Sequence, residues 1–338
     1  MSGDGFVHSY LKRLRPRVSE WLGTRAERHR QFLLRAFRPE GGFAGRSGLP
    51  NPYYTLFGLR AFFLLGEIPP EVVRGSASFL RTRDFGQLSP ADQFATFFSQ
   101  SLLPLQVVGK TELFALLNNL RRDDGGFALI PEQAEGSVYA TFLALESLSM
   151  LGVHWGDTNQ PGNLGEWEKV KLLPGREQIV NFLLGRQRGD GGFAEVGSIP
   201  FGGTSPTAAA LAALRLLGFE DSRVIGRACD FLRALQSPEG GFRAASAVPV
   251  PDLLSTAVAL LVLMDRQAVR GDALDNVRRF VEACEKPAGG FASHPADEQP
   301  DVEYAFYGLL VTAICEKMRG FPSEFSPRTL GSGPEGGR

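Results

Sequence analysis

The triplet Gly-Gly-Phe occurs five times in this 338-residue chain, at 41–43, 125–127, 191–193, 240–242 and 289–291. Its first glycines are 84, 66, 49 and 49 residues apart. Self-similarity with a period of roughly 20–50 residues marks an architecture of repeated units, each burying its apolar face against its neighbours. The 84-residue interval has room for a degenerate unit, at Asp84-Phe85-Gly86. The 66-residue interval is one period plus an insertion, 153–173. The chain therefore divides into six units.

Every unit has the same grammar. An amphipathic helix leads into the triplet, as in 221–236 and 271–284; a polar or Pro-containing loop follows; then comes a helix that is apolar nearly all round. The second helices are 51–66, 136–152, 204–218, 251–264 and 300–315. A helix apolar on every side is a buried one, so the second helices belong inside and the first outside. Pro206, Pro251 and Pro300 stand at helix starts, where proline is tolerated. No alternating strand pattern of any length occurs. The expected fold is all-α: six hairpins closed into an (α/α)6 toroid, a double-layered helical barrel. An open solenoid, the alternative, would leave end units needing caps. The triplet is structural. A glycine just past a helix takes the left-handed conformation, the second lets backbone approach closely, and the Phe plugs between hairpins.

The expected organisation is a helical extension over 1–25, the toroid over 26–318 with its insertion at 153–173, and a tail over 319–338. The tail is rich in Gly, Pro and Ser and reads as disordered. Lys plus Arg number 36 against 37 Asp plus Glu, which argues against a nucleic-acid partner. No apolar run is long enough for a transmembrane segment, and the first residues lack the apolar core of a secretory signal. The three cysteines, 229, 284 and 315, form no paired framework. These features point to the cytoplasm.

A Gln four residues before the triplet, in QRGDGGF (187–193) and QSPEGGF (236–242), resembles the repeat of protein prenyltransferase β subunits and squalene/hopene-type cyclases. The resemblance covers roughly residues 30–317. Its last repeat, 280–310, is most similar to that of the Rab-type geranylgeranyltransferase β subunit. It implies an isoprenoid or other apolar ligand in the central cavity, and it admits a protein partner, since those β subunits pair with a helical-repeat α subunit. It also implies a zinc site of Asp, Cys and His. At the matching positions stand Asp252, Leu254 and Tyr304. Leucine has no donor atom, so zinc is not expected. The diphosphate positions carry Phe201 and, after the triplet of the fifth unit (240–242), only Arg243. No Asp-x-Asp-Asp motif of the cyclases occurs. Asp297-Glu298-Gln299-Pro300-Asp301 resembles a metal–diphosphate motif, but Pro300 interrupts the helix such a motif needs, so the acids read as a solvated loop. No cofactor is assigned, and magnesium is left open.

The ring expected to line a cavity includes Tyr53, Tyr54, Phe97, Tyr139 and Tyr307. Glu146 and Glu303 are carboxylates on buried helices, where an acid needs a partner or a raised pKa. Glu303, Tyr304 and Asp252 are the candidate catalytic residues. The expected function is a prenyltransferase- or terpene-cyclase-like toroid that binds an isoprenoid and acts on it without the zinc site. The alternative is a catalytically degenerate lipid- or protein-binding module.

Overall fold

The computed structural model describes residues 4–104, 108–155, 161–162, 175–269 and 271–319. The expected disordered tail, apart from Arg319, and most of the insertion lie outside the described residues. Two short helices come first, α1 (Phe6–Leu14) and α2 (Val18–Leu22). Six outer–inner pairs follow: α3 (Arg25–Ala36) with α4 (Pro52–Leu64), α5 (Pro70–Arg81) with α6 (Pro90–Ser99), and α7 (Lys110–Leu120) with α8 (Val138–Met150). Then come α9 (Arg176–Leu184) with α10 (Thr204–Leu216), α11 (Ser222–Ala234) with α12 (Leu253–Asp265), and α13 (Gly271–Cys284) with α14 (Val302–Arg319). The described strands are two-residue ladders, such as Phe242–Arg243 against Pro251–Asp252.

The starts of the inner helices are chemically specified. Asn51, Ser89, Ser137 and Asp252 cap α4, α6, α8 and α12 by accepting backbone N–H groups of the first turn. One turn into four inner helices a threonine ties the helix back to its triplet. Thr55, Thr141, Thr207 and Thr256 accept the N–H of Phe43, Phe127, Phe193 and Phe242 at 3.1, 3.0, 2.8 and 2.9 Å. The four phenylalanines are at most 2% exposed.

Neighbouring units interlock through the same triplet. The ring of an outer-helix Phe covers the second glycine of the preceding unit: Phe182 over Gly126, Phe231 over Gly192, Phe280 over Gly241. The last unit repeats the contact with the first, Phe32 of α3 covering Gly290. The Gly290 N–H donates to His29 Nδ1 at 3.1 Å, and the His29 ring stacks on Phe291. Inner helix α14 packs against both α12 and α4. The six hairpins therefore close into the expected toroid.

The closing seam differs in chemistry from the others. In units four and five, Gln187 and Gln236 bridge the triplet to the next outer helix, donating to Val224 O at 3.0 Å and Ala273 O at 3.2 Å. Glu285 holds that place in unit six. It meets Arg25 at 3.0 Å, Arg28 at 3.2 Å and His29 Nε2 at 3.4 Å.

Helix α1 is more than an extension: it lies across the inner ring, touching α4, α8 and α14. The Tyr10 hydroxyl donates to Asp265 at 2.6 Å, at the end of α12. Arg15 Nε donates to Gly66 O at 3.2 Å, just past α4. Both anchors are at the C-terminal ends of inner helices, so α1 closes that end of the barrel.

Candidate functional site

Between these inner helices lies a cavity of about 320 Å³, within the size range of small-molecule sites. The wall is mostly aromatic and aliphatic, from α4, α6, α8, α12 and α14. Val7 of α1 contributes at the closed end, and Leu129 and Ile130 of a triplet loop at the other. The polar groups are few: Tyr53, Arg60, Ser89, Tyr139, Glu146 and Tyr307.

The anchoring threonines set the depth of each residue. Tyr53 and Tyr139 stand two residues before Thr55 and Thr141, at the mouth; Leu254 has the same register before Thr256. Arg60, Glu146 and Leu261 stand five residues after those threonines. Seven residues at 1.5 Å per residue separate the two layers, about 10 Å of depth. The deep layer carries two ionisable side chains, Arg60 and Glu146, among Phe98, Leu261 and Leu310.

Tyr139, at the mouth, lines the cavity and is 41% exposed. Burial raises its pKa and that of Tyr307, so both hydroxyls keep their protons. The Tyr53 hydroxyl donates to Glu303 Oε1 at 2.8 Å, joining the start of α4 to the start of α14. Burial pushes the Glu303 carboxyl up, against the lowering effect of that hydrogen bond.

Tyr53, Tyr139 and Tyr307 thus line the cavity, and Glu303 is bonded to one of them. The other expected residues do not line it. Phe97 is buried in the helix–helix core, because one residue turns the helix by about 100° and the lining face of α6 is that of Phe94 and Phe98. Tyr54 lies against Gly45 of the mouth loop. Asp252 is spent as the cap of α12: it accepts the Ser255 N–H at 2.7 Å and the Ser255 hydroxyl at 2.6 Å. The Tyr304 ring faces the Arg46 guanidinium, 5.9 Å from its centroid. With Leu254 between them in the implied set, these residues do not form a zinc donor set. Among the described residues no three His, Cys, Asp or Glu side chains gather as metal ligands do.

The acidic loop before α14 departs from the solvated reading. Asp301 is buried, caps α14 through the Tyr304 N–H at 3.0 Å, and meets Arg46 at 3.3 Å. Arg46 also meets Asp297 at 2.6 Å. Arg46 is thus the cation that these two carboxylates meet.

Sequence reasoning passed over Arg60. Its signal was a single cation in the apolar run Tyr53–Leu65. No hydrogen bond or ion pair holds its guanidinium among the described residues; it lies 5.8 Å from the Phe98 ring centroid and 5.9 Å from that of Phe306. Such cation–π contacts steady a guanidinium without engaging its hydrogen-bond donors.

Glu146, in the same layer, accepts the N–H groups of Phe6 and of Val7, the latter at 2.9 Å, and so caps α1 from α8. Burial nonetheless pushes its carboxyl up to about 7. An unfolded glutamate titrates near pH ~4.3, so the protonated fold is favoured and this stability is lost as pH rises from about 4.5 to about 7. Compared with Glu146→Gln, the wild type is expected to lose up to about 3 kcal/mol across that window. His8, lowered to about 4 by burial, acts in the opposite sense but is present in both proteins. Urea unfolding of both at pH 5 and 7.5 measures the difference; a constant gap refutes the assignment.

The chain matches the model of the prenyltransferase alpha-alpha toroid domain over residues 17–92, 91–224 and 207–326. Protein geranylgeranyltransferase-I of Candida albicans, complexed with GGPP, superposes with a TM-score of 0.64 at 14% identity, over 87% of this chain and 92% of that one. A variant of a type II terpene cyclase from Scytonema, in complex with its product merosterolic acid A, gives 0.58 at 13% identity, over 89% and 98%. A polysaccharide lyase gives 0.56 at 11% identity, over 89% and 97%. No curated protein matches the chain closely. Identities this low speak for the fold alone, and the three similar structures carry out unlike reactions.

Proposed function

The chain belongs to the prenyltransferase alpha-alpha toroid domain family, and on that premise we propose that its central cavity binds an isoprenoid or a similarly shaped apolar ligand. The observation that carries this reading is the wall itself: a cavity of about 320 Å³ lined mostly by aliphatic and aromatic side chains. Burying a prenyl chain there releases its apolar surface from water at about 25 cal/mol per Å². GGPP in the fungal enzyme and the terpenoid product in the cyclase support the same ligand class.

We assign any chemistry on that ligand to Tyr53 and Glu303. A proton leaving or reaching the ligand at the Tyr53 hydroxyl has Glu303 2.8 Å away as its other station. The faces of Phe57, Phe94, Phe142 and Phe306 suit a ligand that develops positive charge. Asp252 and Tyr304, as cap and Arg46 partner, support the frame around the mouth. A second reading keeps the ligand and drops the turnover: the residues at the family's zinc positions hold no donor set, which favours a binding module.

Val258 lines the cavity and is only partly buried. Val258→Trp should fill the space and weaken binding of a fluorescent geranylgeranyl analogue by a hundred-fold or more, with thermal stability retained. An unchanged affinity places the ligand elsewhere. Incubating the wild type with C10–C20 prenyl diphosphates and Mg²⁺ or Zn²⁺ separates turnover from binding alone.

A further inference from the structure

The cavity is closed at its deep end, and a cation waits there. Arg60 stands about 10 Å below the tyrosines of the mouth, by the rise of seven helical residues. It lies among Phe98, Phe306, Leu261 and Leu310, with α1 beyond. Arg60 is partly buried and lines the cavity, so its unpartnered guanidinium donors face the cavity space, where a bound group with acceptor atoms would meet them. Burial lowers its pKa.

Glu146 does not satisfy Arg60 by contact. Its two oxygens are taken by the N–H groups of Phe6 and Val7. Burial also pushes its carboxyl up, against the lowering effect of Arg60, so Glu146 is a weaker counter-charge than an ordinary glutamate. Higher in the same cavity the hydroxyls of Tyr139 and Tyr307 carry protons and have no hydrogen-bond partner among the described residues. The arrangement is one cation and two neutral donors in an otherwise apolar tube, with no free acceptor built to meet them. The missing acceptor belongs to the ligand.

We propose that the natural ligand is an acidic amphiphile bound head-first, its carboxylate or phosphate on Arg60 at the closed floor and its apolar chain running to the mouth. This rests on the proposed function, because the cavity must first be the ligand site. The bidentate geometry of a guanidinium suits both anions. A neutral terpene or alcohol would fill the walls and leave the guanidinium bare.

The test compares three C20 probes with the full-length protein by calorimetry: geranylgeranoic acid, geranylgeranyl phosphate and geranylgeraniol. The two anions should bind about ten- to a hundred-fold more tightly than the alcohol, and the better of them identifies the head group. In Arg60→Gln the preference should vanish while the alcohol's affinity holds. Arg60→Lys should keep it, and so should Arg46→Gln at the mouth. Equal affinities in the wild type, equal losses for all three probes in Arg60→Gln, or loss of the preference in Arg46→Gln would each overturn head-first binding. If Arg60→Gln does not fold, the wild-type comparison still decides. Failure of every probe to bind removes the ligand reading itself, whereas an alcohol that binds as well as the acids removes only the anion.

Discussion

Gly240→Ala is expected to cost about 3 kcal/mol or more of stability, the largest loss of any single methyl group added to this ring. Gly240 has a φ of 103°, in the left-handed half of the map that a side chain resists. A Cβ there would sit 2.0 Å from the carbonyl oxygen of Asn276, on the outer helix of the next unit. The obstacle is backbone, so no rotamer change relieves it. The helix must back away, and Phe280 then leaves Gly241 uncovered. Gly226 of α11 is the control: nothing lies within 4 Å of its Cβ position, and alanine is the better helix former by up to ~1 kcal/mol. Chemical unfolding of both variants should move the midpoints in opposite directions. A loss below ~1 kcal/mol in Gly240→Ala would show that the units slide more freely than their contacts imply.

The second large effect is expected at the closing seam. Glu285→Ala leaves Arg25 and Arg28 without their shared acceptor and His29 Nε2 facing a void. His29 and Glu285 are buried but Arg25 and Arg28 are part-exposed and can rehydrate, so the loss is expected at about 2 kcal/mol, most of it from His29 left without its acceptor. Gln236→Ala, which removes the matching side chain between units five and six, loses two neutral hydrogen bonds and about 1–2 kcal/mol. The two also differ in pH dependence. Glu285 is desolvated, which would raise its pKa, but His29 and the two arginines outweigh this and hold it below the usual range. A lowered carboxyl contributes stability that is present above its unfolded pKa, ~4.3, and lost as pH falls through the folded value. Acid should therefore narrow the gap between wild type and Glu285→Ala and leave that for Gln236→Ala unchanged. Proteolysis within 25–36, which should quicken only in the Glu285 variant, reads the seam directly.

The architecture was legible because its signal is spelled out five times. Gly-Gly-Phe fixes a turn, an approach distance and a plug in three letters, and its spacing counts the hairpins. The helix periodicity then says which member of each pair is buried. The cavity was legible only as a ring of aromatic positions. Periodicity tells that Phe97 and Phe98 are both buried; it does not tell which of two adjacent residues meets a void and which a neighbouring helix. Asp252 shows the same limit for a charged residue: one position serves as ligand or as cap, and the next Ser decides by offering a hydroxyl and an N–H. Glu146 was visible as a carboxylate in a buried helix, but its partner is the backbone of α1, 139 residues away. No local pattern encodes that α1 folds across the barrel. Arg60 escaped because nothing in the apolar run Tyr53–Leu65 says which helix face meets the cavity; only the closed ring places that cation on its wall.

The closure of the ring also has a meaning in time. Helix α3 is made early, and the Gly290 N–H that its His29 receives comes 261 residues later. At synthesis rates of roughly 5–20 residues per second, the nascent chain spends tens of seconds as an open coil of hairpins. Throughout, Phe32 and the flank of α4 have no neighbour. The wait itself is cheap in entropy, since closing a long loop costs little more than closing a short one. The hazard is the uncovered apolar edge, which another nascent chain could cover instead. A ribosome that stops after unit five would release a protein with two sticky ends rather than five-sixths of a stable one.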